Sequence, residues 1–169
     1  MIGLPGTYSS WFNTTSMSSH HSGWDEAGMS RSVNTVEHLI LSEVHTGIDP
    51  RKIVLVGFGQ GATLALVVAL TTLHDLGGVA SLSGSLPPGP QAREQLIHAY
   101  PTVPIFYAYG RLDTVLPPAL HEETMCFIRD VLRLPSDRLT FKRYCSFGHS
   151  VSEAEISDLS DWLSNILHL

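Results

Sequence analysis

The spacing of apolar residues changes along the chain, and each change marks an element. From Val33, the residues Val36, Ile40 and Val44 recur at three- and four-residue steps. Ser30 or Ser32 is placed to cap this helix, and Gly47 to end it before Asp49-Pro50. Lys52-Ile53-Val54-Leu55-Val56 is a short, nearly unbroken apolar run, the pattern of a strand buried on both faces. It runs into Gly57-Phe58-Gly59-Gln60-Gly61 and then an apolar helix, Ala62 to Leu73. Val79 to Leu82 reads as a second strand, Gln91 to Ala99 as a helix, and Val103 to Tyr109 as a third strand. Pro118 to Leu132 reads as a helix and Leu139 to Tyr144 as a fourth strand. The last helix spans Ser152 to Leu167, with Ile156, Leu159, Leu163 and Ile166 as its apolar stripe. Residues 1–29, rich in Ser, Thr, Gly and His with Trp11, Phe12 and Trp24 interspersed, show no period and read as loop.

Strands alternating with helices predict an α/β fold with a mostly parallel sheet flanked by helices. No repeat or linker divides the chain, so residues 1–169 are expected to form one domain, with its strand and helix core in 30–169. Composition agrees, since 43% apolar and 15% charged residues describe an ordered globular chain. A net charge of −6 without a basic cluster argues against a nucleic-acid partner. The longest apolar run, Ala62 to Leu70, is about half of the ~20 residues that a bilayer requires, and the N-terminus lacks a signal pattern. The expectation is a cytoplasmic protein without a transmembrane segment. Cys126 and Cys145 match neither a zinc spacing nor a disulfide framework and read as free thiols. His20-His21 lacks partners at ligand spacing, so no metal and no cofactor is expected.

The glycine turn after the first strand fits two chemistries. Gly57-x-Gly59-x-x-Ala62 matches a dinucleotide fingerprint, which also needs an acid about 20 positions on, at the end of the next strand. That strand ends at Ser83, and Asp75 precedes it, so the fingerprint is incomplete. Gly57, Gly59 and Gly61 also occupy the frame of the Gly-x-Ser-x-Gly nucleophile elbow. Elbow enzymes place an acid and then a histidine after later strands. Asp113 follows the third strand and His149 the fourth, both at carboxyl ends, where α/β sites form. This order favours the elbow, with nucleotide binding the remote alternative.

Several segments together resemble the acyl-protein thioesterase and carboxylesterase (lysophospholipase-like) group of α/β-hydrolases. Ile53 through Ala62 is similar to that family's nucleophile strand and Gly-Phe-Ser-Gln-Gly-Gly elbow. Ser81-Leu82-Ser83-Gly84-Ser85-Leu86-Pro87 resembles its Leu-Ser-Gly-x-Leu-Pro turn. Gly110 to Pro117 resembles its acid segment, Phe141 to Ser150 its final strand and histidine, and Ser10-Trp11-Phe12 its Ser-Trp-Phe loop. The resemblance implies an α/β-hydrolase fold and hydrolysis of acyl esters or thioesters, such as S-acylated proteins or lysolipids. It implies Asp113 and His149 as catalytic acid and base, and the Gln60 backbone N–H as an oxyanion donor. By the same resemblance Trp11 and Phe12 wall an acyl groove, although the pair could equally anchor their loop to the core.

Two departures accompany it. Gly59 stands where the family has its serine, so no hydroxyl is present for His149 to deprotonate. The expected outcome is an impaired hydrolase or a non-catalytic acyl-binding pseudoenzyme. The chain also opens part-way into the family's pattern, so the first strands and a His-Gly-Leu-Gly-Asp oxyanion loop are expected to be lacking. The strand before the elbow then becomes an exposed apolar edge. Thr63 should face away from the elbow, Cys145 is four positions before His149 on the same loop, and Ser81, Ser83 and Ser85 belong to a turn. None of them reads as a substitute nucleophile. Asp113 and His149 alone remain able to activate water slowly.

Overall fold

The computed structural model describes residues 10–13, 25–87, 93, 94, 96 and 102–168. Four parallel strands, β1 (Val54–Phe58), β2 (Gly78–Leu82), β3 (Ile105–Gly110) and β4 (Leu139–Tyr144), pair in the order β1-β2-β3-β4. The register places Phe58 opposite Leu82, Leu82 opposite Ala108, and Gly110 opposite Tyr144, so the carboxyl ends form one rim. Among the elements described in full, helices α1 (Glu26–His45), α2 (Gln60–Thr71), α3 (Pro118–Cys126) and α4 (Glu153–Leu167) accompany them.

The two-residue period of the strands sends alternate side chains into two layers. Val79, Ile105, Tyr107 and Tyr109 join Ile40 of α1, Leu66 and Val68 of α2, and Met125 of α3. Ala80, Leu82, Phe106 and Ala108 face the other way, against Leu159 and Trp162 of α4. Helix α2 is buried at every residue from Ala62 to Leu70, which explains why its sequence is apolar all round. It packs on the sheet beneath and on α1 above. No described helix is long and apolar enough to cross a membrane.

Several boundaries differ from the sequence expectation. Helix α1 begins within the segment read as loop, because the carboxylate of Asp25 accepts the Gly28 N–H and caps it. The apolar stripe starts later, and Ser32 is a buried helical residue whose hydroxyl donates to the Trp11 carbonyl. Strand β1 starts two residues late because Asp49 caps a short 3₁₀ turn over Pro50–Lys52. It is the sheet's edge among the described residues, and Val56 and Phe58 are 52% and 41% exposed rather than buried. The helix expected to reach Leu132 widens after Cys126 into a π turn, Phe127–Val131. The helix expected over 91–99 lies mostly outside the described residues, with Arg93, Glu94 and Leu96 helical.

The largest correction concerns α4. Ile156, expected in the apolar stripe, is exposed, and Glu155 is fully buried in its place. Both carboxyl oxygens lack hydrogen-bond partners among the described residues, and burial pushes the pKa from the usual 4.5 up to about 7. A raised acid pKa means that the folded state keeps a proton the unfolded chain has lost. Glu155 therefore lowers stability as pH climbs from about 4.5 to 7, and the loss is complete above that window. Glu155→Gln is expected to stabilise the protein by about 2 kcal/mol at pH 8 and to change little at pH 5, as read by urea unfolding.

Candidate active site

The elbow is built at the β1–α2 junction. Gly59 has φ +56° and ψ −119°, a left-handed turn between a strand residue and the first residue of a helix. The turn is tight enough that a Cβ on Gly57 would stand 2.3 Å from the Gly61 carbonyl. The backbone N–H of Gly59 donates to Leu82, tying the elbow to β2. The first N–H groups of α2, beginning at Gln60, have no intrahelical acceptor, and the N-cap residue, Gly59, has no side chain to cap them.

The acid and the histidine come from adjacent loops held together by the β3–β4 register. Arg111 N–H donates to the Tyr144 carbonyl at 2.7 Å, and Leu112 N–H to the Phe147 carbonyl at 3.1 Å. Asp113 is buried, and its Oδ1 accepts the backbone N–H groups of Val115 and Leu116, each at 2.8 Å. Its Oδ2 lies 2.8 Å from His149 Nδ1. An ionised carboxylate only accepts, so Nδ1 carries the hydrogen and Nε2 is left bare toward the elbow. The His149 ring lies tilted against Phe58, with centroids 4.8 Å apart. A Cβ built on Gly59 falls 3.2 Å from His149 Nε2 and 3.7 Å from its Cε1. Asp113, His149 and position 59, separated by up to 90 residues in sequence, thus meet in one line.

The remaining sequence candidates divide. Gln60 contributes its side chain as well as its backbone: its carbonyl oxygen accepts the Trp11 N–H, and its amide donates to the Phe12 carbonyl. Phe12 is buried in the core and anchors the segment, whereas Trp11 is 45% exposed with its Nε1 beside Gly61. Thr63 is buried with its hydroxyl donating to the Gly59 carbonyl and accepting the Ser85 N–H, which occupies it structurally. Cys126 and Cys145 are exposed free thiols. Ser81 and Ser83 are buried with hydroxyls that have no partner among the described residues, and Ser83 has φ +51°, a strained conformation the sequence did not announce. Asp75 lines a cleft with Arg51, Arg138 and Trp162 at the amino ends of the strands, across the sheet from Gly59. His20 and His21 lie outside the described residues, and among those described no cluster has metal-ligand character.

One neighbour went unseen in the sequence. His121 of α3 is fully buried with Nε2 3.8 Å from Asp113 Oδ2, opposite His149. Burial holds its pKa below the usual 6.5. A single histidine within a short helix gives no periodic signal that would single it out.

The chain as a whole is similar to known proteins. Acyl-protein thioesterase 1 of Saccharomyces cerevisiae is 31% identical over 93% of this chain and 68% of its own length. A probable carboxylesterase of Oryza sativa subsp. japonica is 32% identical over 94% of this chain and 58% of its own. Among solved structures, Arabidopsis thaliana SOBER1 superposes with a TM-score of 0.82 at 26% identity, covering 94% of this chain and 74% of that one. The chain thus spans between 58% and 68% of the length of these two curated relatives. The profile of the phospholipase/carboxylesterase family matches residues 2–167. The family match over residues 2–167 and the parallel sheet flanked by helices agree, and the chain belongs to the phospholipase/carboxylesterase family of α/β-hydrolases.

Proposed function

We propose that this chain carries the acid–base half of an acyl ester or thioester hydrolase, with position 59 as the emptied nucleophile site. The observation behind this reading is the 3.2 Å approach of His149 Nε2 to a Cβ at Gly59, with Asp113 holding the opposite ring nitrogen at 2.8 Å. His149 is the general base, and Asp113 fixes its Nδ1–H tautomer and supports the imidazolium that forms. The Gln60 N–H, at the positive end of α2, faces the position of a carbonyl oxygen that gains charge on attack. Trp11 is the apolar wall next to it.

With no hydroxyl at position 59, the base acts on water in the parent chain. Nε2 takes a proton from water, the hydroxide adds to the acyl carbonyl, and the proton returns to the departing alcohol or thiol. Acyl esters and thioesters, acylated proteins among them, are the substrate class, a reading supported by relatives described as acyl-protein thioesterase and probable carboxylesterase. The missing side chain at position 59 equally favours a second reading, in which the acyl group is held and not cleaved.

Turnover of short-chain p-nitrophenyl esters and acyl thioesters by the parent separates the two. Slow hydrolysis that disappears in His149→Ala supports the water route. Saturable binding of a fatty-acyl ligand without any turnover supports the holding role. In either case Trp11→Ala is expected to weaken acyl binding about tenfold, seen in KM or Kd with little change in kcat.

A further inference from the structure

Asp113 has two histidines, and the site needs one. The ring of His121 is fully buried, stacked on Tyr109 at 4.1 Å, with Nδ1 2.8 Å from the Tyr107 hydroxyl and 3.2 Å from the Gly84 carbonyl. The Tyr107 oxygen also approaches the Gly84 carbonyl at 2.5 Å. A carbonyl only accepts, so the one phenolic hydrogen points at Gly84. Burial pushes the Tyr107 pKa upward and keeps that hydrogen in place. The phenol oxygen is then an acceptor toward His121, and Nδ1 must carry the imidazole hydrogen. Nε2 is left bare and buried, without a hydrogen-bond partner among the described residues, facing the oxygen that His149 uses.

We infer that His121 is a positioning residue of the Asp113–His149 pair, held as its Nδ1–H tautomer so that a proton taken up at Nε2 competes with His149 for Asp113 Oδ2. At neutral pH the ring is uncharged, fills the space behind the carboxylate and leaves Oδ2 to His149. On acidification Nε2 gains a proton from solvent and becomes a donor, Oδ2 turns to it, and the His149 ring loses its anchor. The groups facing His121 are Asp113, His149, Tyr107 and Tyr109; Glu122 is reached through the Tyr109 hydroxyl and is itself bound to Arg143. Asp113 and the Gly84 and Leu116 carbonyls favour the cation, while burial and the charge of His149 oppose it. Burial outweighs the attraction, so His121 gains its proton only below the usual histidine range. The inference rests on the proposed pairing of Asp113 with His149, but its readout does not depend on catalysis.

The test is nitrogen-15 NMR of histidine-labelled full-length protein from pH 8 to pH 4.5. At pH 8, His121 should show a protonated Nδ1 and a bare Nε2. The hydrogen-bonded Nδ1–H signal of His149 should fade as His121 becomes charged. In His121→Phe, which keeps an aromatic ring against Tyr109, that signal should persist at least one pH unit lower. A proton on Nε2 of His121 at pH 8 overturns the inference, and this measurement needs no variant. So does a His149 profile identical in parent and His121→Phe. Intact coupling of the two histidines in a protein that never hydrolyses an ester would sink the proposed function and leave this inference standing.

Discussion

Gly59→Ser is expected to raise hydrolysis of a short-chain p-nitrophenyl ester at least ~10²-fold above the parent. Removing the nucleophile from a working serine hydrolase costs on the order of 10⁶ in kcat, which is the upper bound on the gain. The geometry is prepared for it, because a Cβ at position 59 stands 3.2 Å from His149 Nε2. That contact is tight, so the imidazole must withdraw by a few tenths of an ångström to accept the hydroxyl proton. The elbow's φ of +56° charges any side chain a steric cost of roughly 1–2 kcal/mol. The variant should therefore be less stable and more active at once, as strained sites are. Adding Asp113→Asn to it should remove most of the gain, because an amide no longer holds His149 in the Nδ1–H tautomer. Steady-state kinetics of parent, single and double variants check the series.

Gly57→Ala is the second large effect, and it acts on folding. Its Cβ would stand 2.3 Å from the Gly61 carbonyl and 2.5 Å from the Ala62 nitrogen. Both are backbone atoms at the start of α2, so no side chain can swing aside. A glycine-to-alanine change in a strand usually stabilises by a few tenths of a kcal/mol where the backbone tolerates it. Here the overlap forces β1 and α2 apart, and a loss of roughly 3 kcal/mol is expected from urea unfolding. The same shift moves Gly59 away from His149, so a Gly59→Ser, Gly57→Ala double variant should lose the activity gained by serine alone.

Much of this architecture was legible in the sequence because the relevant signals are local and periodic. The unbroken run at Ile53–Val56, the glycine frame at 57–61, and the alternation of later strands and helices specify a parallel sheet with a sharp turn at one rim. The positions of Asp113 and His149 after β3 and β4 follow from chain order and strand ends alone. What escaped was set by tertiary contact. Asp25 caps α1 in a segment without period. Glu155 takes a core position that an apolar residue was expected to fill, and Ile156 beside it points outward. The strain at Ser83 depends on its backbone conformation, and His121 reaches Asp113 from a helix of ordinary polarity. Gln60 was expected to act through its backbone, and its side chain's hold on residues 11 and 12 depends on folding that brings the two ends of the link together.

The proposed site stands on a single relation among three positions, and covalent labelling reads it directly. Gly59→Ser should react with a fluorophosphonate at residue 59, as mapped by peptide mass spectrometry, and the label should vanish in Gly59→Ser, His149→Ala. A folded Gly59→Ser protein that takes no label, or one whose label survives the loss of His149, would contradict the account.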